Sequence, residues 1–217
     1  MSLAEYARKP PRGPAGSMMR PNDRRWLLAA ARHCLRACVA PYLLEIGAYM
    51  GASTALLALA AREAREDAVV ISIDPFWSDI CSSYTTPYFE DWLGSISKEN
   101  VLPAVVGIVS TSERASALIP YRLNFCLIDG NHAYQAVLED LQMYAGRVDS
   151  EGLVFLHDYQ LVGSGVKQAA SEYAADQSWQ IWECPPGYPL ADFAILYQSQ
   201  EALEGMKGWL DRDPNGS

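Results

Sequence analysis

The segment YLLEIGAYMGAST, residues 42–54, decides the fold because it reads as a strand, a glycine turn and the start of a helix. Gly47 and Gly51 permit a tight turn and a close approach of the backbone to a ligand. The same succession repeats along the chain. Further apolar strands are predicted at 68–73, 104–109, 125–128 and 153–156, with helices at 51–65, 133–145 and 165–175. Continuous apolar strands between helices are typical of a parallel sheet that is covered on both faces.

The last two strands are expected to run antiparallel. Segments 179–182 and 193–197 flank the stretch PPGYP, residues 185–189, which is short enough for a direct return. The earlier strands are joined by helices, and right-handed crossovers of this kind form an open sheet. The sequence therefore predicts an α/β, Rossmann-like, doubly wound sheet of seven strands, mostly parallel, with an antiparallel last strand.

The chain has 217 residues, 50% hydrophobic and 20% charged, a composition typical of one soluble globular domain. We expect a flexible basic arm at 1–20, one domain at 21–200 and a C-terminal helix or tail at 201–217. No apolar run reaches the length of a membrane span, which predicts no membrane partner. The net charge of −9 is uneven, since residues 1–36 carry eight basic and two acidic side chains. The acidic remainder predicts no nucleic-acid partner, because that affinity comes mainly from neutralising phosphates.

The basic front end allows two interpretations. An Arg-Arg pair followed by an apolar run resembles a twin-arginine signal, but the run stops at Arg32 and no small-residue cleavage site follows. We favour an amphipathic helix over 21–38, capped by Asn22 or Asp23, that contacts substrate or a second subunit of a homo-oligomer. Five cysteines without a CxxC pair favour reduced thiols and a cytoplasmic location.

Residues 75–100 interrupt the alternation of strands and helices. They contain six aromatic side chains: Phe76, Trp77, Tyr84, Tyr88, Phe89 and Trp92. One interpretation is a helical insert that packs its aromatic rings onto the core. The other is a lid over a ligand pocket, since binding segments are often long and loop-like.

Polar side chains stand where the predicted strands end. Glu45 is near the end of the first strand, Asp74 follows the second, and Asp129 and Asp158 follow two later strands. Ligands bind beyond the carboxyl ends of the strands in an open parallel sheet. A dinucleotide site would prefer the spacing GxGxxG, whereas the glycines of the first turn are spaced GxxxG. This spacing favours a nucleoside ligand without a pyrophosphate, with Asp74 on the ribose hydroxyls.

These motifs resemble those of the class I S-adenosylmethionine-dependent methyltransferases. The motif ExGxxxGxS, residues 45–53, is similar to their first motif, and the Ile-Asp pair at 73–74 is similar to their ribose-binding acid. The stretches LIDGNHAY, residues 127–134, and LHDY, residues 156–159, resemble a branch of small O-methyltransferases. That branch is often grouped with cephalosporin-hydroxylase-like and macrolide-sugar methyltransferases. The likeness extends over residues 40–198.

The resemblance implies a site for S-adenosylmethionine (SAM) and a divalent cation, Mg²⁺ or Mn²⁺. The implied cofactor residues are Glu45, Gly47, Ala48, Tyr49, Gly51, Ser53, Thr54, Asp74, Pro75, Phe76, Thr111, Ser112 and Asp129. The implied metal ligands are Asp129, His157 and Asp158, where His157 replaces the Asp or Glu of metal-dependent relatives. Magnesium prefers oxygen ligands, so this imidazole shifts the preference toward Mn²⁺ or Fe²⁺. His132 stands where such enzymes place the general base, and an imidazole is suited to take a hydroxyl proton near neutral pH.

The function implied by the resemblance is methylation of a hydroxyl group on a small molecule, such as a sugar, a phenol or another natural product. Three alternatives stay open: a metal-independent methyltransferase, a non-catalytic cofactor-binding protein, and a nicotinamide-dependent oxidoreductase, which the GxxxG spacing disfavours. The site residues also have structural interpretations. Asp129 suits a helix cap, His157 a hydrogen-bonding group, and His132 a cap or a surface residue.

Overall fold

Strands and helices alternate along the computed structural model, which describes residues 19–76, 88–120, 122–184 and 192–212. The strands are β1 Tyr42–Ile46, β2 Val69–Asp74, β3 Val105–Val109, β4 Leu123–Ile128, β5 Val148–His157, β6 Gln180–Glu183 and β7 Phe193–Tyr197. The α-helices are α1 Pro21–Ala37, α2 Ala52–Ala64, α3 Phe89–Lys98, α4 Ser112–Ala115, α5 Tyr134–Tyr144, α6 Val166–Gln177 and α7 Gln200–Arg212. Short 3₁₀ turns occupy Leu102–Ala104, Ser116–Leu118 and Ala145–Arg147.

The seven strands form one sheet in the order β3-β2-β1-β4-β5-β7-β6. Strands β1 to β5 pair in parallel, and β7 runs antiparallel to both β5 and β6. Ile46 of β1 stands between Ile73 of β2 and Ile128 of β4, so three strands end at the same edge of the sheet. The predicted doubly wound, mostly parallel sheet with an antiparallel last strand is confirmed.

Two apolar cores lie on opposite faces of the sheet, because successive side chains of a strand point to opposite faces. Phe155 enters one core, which includes Leu27 of α1 and residues of α2 and α7. Its neighbour Leu156 enters the other core, which includes Leu141 of α5 and residues of α6. Burial of a side chain of this size stabilises the fold by roughly 1.5–3 kcal/mol. The inner strands β1, β2, β4 and β7 read as continuous apolar runs because both of their faces are covered, whereas the edge strand β3 leaves Val106 and Val109 exposed.

The start of α1 differs from the prediction. The helix begins at Pro21, which suits the first helical position because its missing N–H has no partner there in any helix. Arg20, and not Asn22 or Asp23, is therefore the residue before the first turn. Asp23 is the third helical residue, and its Oδ2 accepts the backbone N–H of Arg20 at 3.2 Å. The predicted cap position is therefore wrong, although Asp23 serves the cap from the third helical position, where its side chain is fully buried.

The aromatic segment is only partly described. Residues 77–87, with Trp77 and Tyr84, lie outside the described residues, so the lid stays a prediction. Beyond them, α3 buries Trp92 and Ile96 against the core, as the packing interpretation expected. Phe76 is also buried and lies 5.1–6.0 Å, between ring centroids, from three aromatic rings of this region.

Both ends of the chain are described in part. Residues 1–18 of the expected basic arm lie outside the described residues, and the C-terminal segment contains helix α7. Within the described ranges, no helix has the length and apolar character that a membrane crossing would need. Four cysteines, Cys34, Cys38, Cys126 and Cys184, are buried and free, while Cys81 lies outside the described part.

Candidate active site

The turn between β1 and α2 brings its backbone against the end of β4. Gly47 and Gly51 have φ angles of 88° and 85°, which favour glycine, and Tyr49 has a φ of 45°. A Cβ atom on Gly47 would lie 2.2 Å from the backbone oxygen of Asp129, so only glycine fits there. The backbone N–H of Asp129 also donates to the oxygen of Ile46 at 2.9 Å. The first turn and the end of β4 are therefore one structural unit.

Asp74 ties this turn to the end of β2. Its Oδ2 accepts the backbone N–H groups of Ala48 and Tyr49, both at 2.9 Å. Its Oδ1 accepts the N–H of Phe76 at 2.6 Å and the hydroxyl of Tyr88 at 3.3 Å. A ribose would share the carboxylate with these donors. Asp74 lies where a nucleoside-binding acid is expected, and its ribose contact stays a prediction.

Glu45 carries a free acceptor beneath the turn. The side chain is fully buried, and its Oε2 accepts the hydroxyls of Thr54 and Ser72 at 2.5 Å. Its Oε1 has no hydrogen-bond partner among the described residues. Burial raises the pKa of Glu45 to about 7, although three hydroxyl donors oppose the shift. A buried acceptor without a donor marks a place where a ligand with N–H groups would be stabilised.

The remaining predicted cofactor residues surround this turn unevenly. Ser53 is half-buried at the start of α2, Pro75 is exposed, and the side chain of Phe76 points into the aromatic core. Thr111 and Ser112 begin α4, where the hydroxyl of Thr111 accepts the N–H of Arg114 at 3.4 Å. The backbone of Ser110 donates to the oxygen of Asp74 at 3.2 Å, which places α4 beside the end of β2.

A cluster of titratable side chains lies at the ends of β4 and β5. Nε2 of His132 lies 3.5 Å from Oδ1 of Asp129 and 3.5 Å from Oδ2 of Asp158. One ligand atom from each of these three residues lies within 4.8 Å of the others, close enough to hold a metal ion. Nε2 of His132 is buried without a hydrogen-bond partner in the described residues. Asp158 adopts a φ of 51°. This conformation costs free energy and persists only where the surrounding structure holds it.

His157 lies beside this cluster, and its predicted role as a metal ligand stays a prediction. Its Nδ1 is 3.0 Å from Oδ1 of Asp129 and 3.5 Å from Oδ1 of Asp158. Its Nε2 is 3.4 Å from Oδ2 of Asp23. Carboxylate oxygens only accept hydrogen bonds, so both ring nitrogens carry protons. By distance alone, Asp129, His132 and Asp158 also form a group that could hold a metal ion.

The cluster is electrostatically coupled. Burial opposes the imidazolium of His157, but the charge of Asp129 and the hydrogen bonds with Asp129, Asp158 and Asp23 together outweigh it and raise the pKa of His157 to about 12. Burial also opposes the Asp129 carboxylate, yet the charge of His157 lowers the pKa of Asp129. The carboxylate of Asp129, 3.5 Å from Nε2, raises the pKa of His132. His132 therefore holds positive charge readily at this position.

Two buried carboxylates were missed by sequence reasoning. Asp23 reaches the site from α1, and the available signal was an acidic residue on the apolar stripe that continues through Trp26 and Leu27. Asp140 is buried on α5 beside Ser112, and burial raises its pKa to about 6. Nothing in the local sequence of Asp140 separates it from an exposed helical acid.

Comparisons with known proteins agree with this geometry. Residues 44–159, more than half of the chain, match the family profile described as a methyltransferase domain. The fold is similar to that of the O-methyltransferase TomG from Streptomyces achromogenes, involved in tomaymycin synthesis and solved with SAM. The TM-score is 0.64 at 14% identity, over 91% of this chain and 89% of that one. No curated protein sequence matches the chain.

Two other solved structures share the fold. An O-methyltransferase from Bacillus cereus, in complex with S-adenosylhomocysteine (SAH), has a TM-score of 0.62 at 14% identity, over 89% of this chain and 86% of that one. CalS11, a TDP-rhamnose 3'-O-methyltransferase of calicheamicin biosynthesis, has a TM-score of 0.56 at 16% identity. That likeness covers 80% of this chain and 77% of CalS11. At these identities the likenesses show the fold alone.

Proposed function

The chain belongs to the methyltransferase-domain family, and on that premise we propose that it transfers a methyl group from SAM to a hydroxyl group of a small molecule. One observation carries the proposal: the turn after β1 touches the end of β4 at Asp129, so a cofactor site and a proton-accepting cluster adjoin. Two solved structures of the same fold, one with SAM and one with SAH, are described as O-methyltransferases. The acceptors named for such structures support a sugar or another natural product.

The residues of the first turn fit SAM. The free Oε1 of Glu45 offers an acceptor for the ammonium group of the cofactor's amino-acid tail. Gly47 lets the turn lie directly against the end of β4, because a side chain there would overlap the backbone oxygen of Asp129. We assign Asp74 to the ribose and Thr111 and Ser112 to the adenine edge. The negative charge of Asp129 favours a cationic sulfonium donor over an anionic nucleotide.

The proposed chemistry depends first on alignment. The methyl carbon of a sulfonium is already activated, so holding it in line with the acceptor oxygen supplies much of the rate. The oxygen forms a bond to the methyl carbon, and the electron pair of the broken C–S bond returns to sulfur. The acceptor's proton passes to Nε2 of His132. Asp129 and Asp158, both 3.5 Å from that atom, stabilise the imidazolium that forms.

The donor set also suits a divalent cation. Asp129 and Asp158 would hold it, which leaves Nε2 of His132 free to take the proton. A bound cation supplies Lewis-acid chemistry that lowers the pKa of an acceptor hydroxyl. Carboxylate oxygens suit both Mg²⁺ and Mn²⁺.

We also propose a small molecule, and not a nucleic acid, as the acceptor, in a cytoplasmic protein. The acidic balance of residues 37–217 supports the first inference, since nine basic side chains face 24 acidic ones. The buried, free cysteines support the second. Contact of α1 with a second subunit stays a prediction.

A turnover assay tests this function. Purified protein is incubated with SAM and a panel of sugar nucleotides, glycosides and phenols, and SAH release is measured before and after chelation. We expect acceptor-dependent SAH release that falls on chelation and returns with Mn²⁺. Full activity after chelation would leave a metal-independent methyltransferase. Binding of SAH by calorimetry, without release on any acceptor, would favour a cofactor-binding protein, and binding of NAD instead would favour an oxidoreductase.

A further inference from the structure

We propose that Asp23, on the N-terminal helix α1, is a positioning residue that holds His157 and, through it, the two carboxylates of the candidate cluster. The inference rests on the proposed function for the meaning of that cluster. It extends the site to a helix that lies 134 residues away from His157 in sequence. The matched family region begins only at residue 44 and does not include α1.

His157 connects Asp23 to the cluster through its two ring nitrogens. Oδ2 of Asp23 lies 3.4 Å from Nε2, and Oδ1 of Asp129 lies 3.0 Å from Nδ1. The ring is held from both ends in one plane and one rotamer, so it cannot turn without losing a charged partner. A ring fixed in this way fixes Oδ1 of Asp129, the same atom that faces His132.

A second chain of contacts runs from Asp23 to the turn after β5. Oδ1 of Asp23 accepts the backbone N–H of Asp192 at 2.9 Å. Oδ1 of Asp192 accepts the N–H of Gln160 at 2.5 Å, two residues beyond Asp158. Asp158 adopts a left-handed conformation, which persists only where the surrounding structure holds it. Asp23 therefore supports Asp158 through Asp192 and Gln160, and it supports Asp129 through the ring of His157.

The burial of Asp23 calls for such a role. Its side chain is fully buried on the apolar stripe of α1, near Trp26 and Leu27. A buried carboxylate destabilises a protein unless hydrogen bonds and charge compensate it, and an apolar residue is usually the more stable choice. Each of its oxygens faces a donor: Asp192 on one, Arg20 and His157 on the other. The buried carboxylate therefore joins the start of α1 and the backbone of Asp192 to the ring of His157.

The test replaces Asp23 by asparagine. Asp23→Asn can keep the oxygen that accepts from Asp192, but it places an N–H group opposite Nε2 of His157 and removes the charge. We expect kcat to fall about 10–100-fold, the loss typical of groups that orient a site residue. The KM for SAM should stay within about twofold, because the first turn is untouched. Glu63→Gln is the matched control, since Glu63 also pairs with α1, through Arg32, but lies on the surface.

A double-mutant cycle separates positioning from folding. If Asp23 acts through His157, Asp23→Asn should cost little more once His157→Gln is present. The ring ¹⁵N resonances of His157, one of three histidines, should also move in Asp23→Asn and stay in Glu63→Gln. An unchanged kcat with an unchanged His157 spectrum would overturn the proposal. Additive losses in the cycle would overturn it as well, because Asp23 would then act independently.

Failure of the proposed function gives a different result from failure of the contact between Asp23 and His157. If the wild-type protein releases no SAH with any acceptor, the function falls, but the His157 spectrum still reports the contact with Asp23. Movement of that spectrum in Asp23→Asn would then support the positioning contact. An unmoved spectrum would overturn it.

Discussion

The cofactor turn and the acceptor cluster are built in different ways. The cofactor turn takes its residues from 45–54 and 72–76, and its hydrogen bonds run mainly to neighbouring backbone. The acceptor cluster joins the ends of β4 and β5 to α1, and its contacts are between charged side chains. In the first region backbone N–H groups are the main donors, so substitutions there should affect stability and cofactor binding more than turnover. The second depends on the charge of each member, so single substitutions there should affect turnover more than binding.

The largest expected effect comes from His132→Ala in the acceptor cluster. Loss of a general base typically lowers turnover by about 10²–10⁴-fold. SAH affinity should stay nearly constant, because His132 makes no contact with the first turn. Turnover by stopped assay and affinity by calorimetry give the two numbers. An equal loss of turnover and of SAH affinity would show that His132 also supports the cofactor turn. Unchanged turnover would remove His132 from the chemistry.

A pH-dependent stability change should come from Glu45 in the cofactor turn. Its folded pKa of about 7 lies above the ordinary 4.5, so its contribution is full below pH 4.5 and is lost as pH rises through 7. Wild type should therefore lose up to about 3 kcal/mol of unfolding free energy between pH 4.5 and 8 from this group. Glu45→Gln should lack that loss. Urea unfolding of both proteins at pH 5 and pH 8 measures the difference, and parallel pH profiles would contradict the assignment.

Gly47→Ala tests the contact between the two regions. The new Cβ would lie 2.2 Å from the backbone oxygen of Asp129, at a φ of 88° that alanine rarely adopts. We expect a loss of roughly 2 kcal/mol in unfolding free energy. Gly146→Ala is a suitable control, because no atom lies within 4 Å of its Cβ position. Equal stability of the two variants would show that Gly47 is not in close contact with the end of β4.

The smallest expected effect is at Asp74. Its carboxylate is already shared among four protein donors, so a ribose adds contacts to a satisfied group. Asp74→Asn should weaken SAH binding about tenfold while leaving turnover at saturating SAM within about threefold. Calorimetry with SAH measures the affinity. No change in affinity would remove Asp74 from the cofactor site and leave it as a support of the first turn.

Sequence reasoning worked where the contacts are local. The strand, turn and helix around Gly47 were predicted because glycine spacing and apolar runs report backbone geometry directly. The direction of the strands predicted that Asp74, Asp129 and Asp158 lie at the same edge of the sheet. The side of His157 that faces Asp23 could not be predicted, because nothing in a linear sequence reports which face of α1 meets β5.

Strand ends show the same limit. Strand β5 begins at Val148, five residues before the predicted start. The prediction placed the start too late because Asp149, Ser150 and Glu151 break the apolar pattern. The pairing of Val148 with Leu123 across an irregular register extends the ladder in spite of that polarity. Tertiary pairing overrides local propensity at such edges.

The most direct measurement follows a ¹³C-labelled methyl group from SAM into product. After turnover with a hydroxylated acceptor, the carbon resonance of the transferred methyl identifies the atom that received it. We expect a methoxy carbon in the product and an equal amount of SAH, with both reduced in His132→Ala. A methyl group on nitrogen or carbon, or a label that stays on SAM while SAH binds normally, would contradict it.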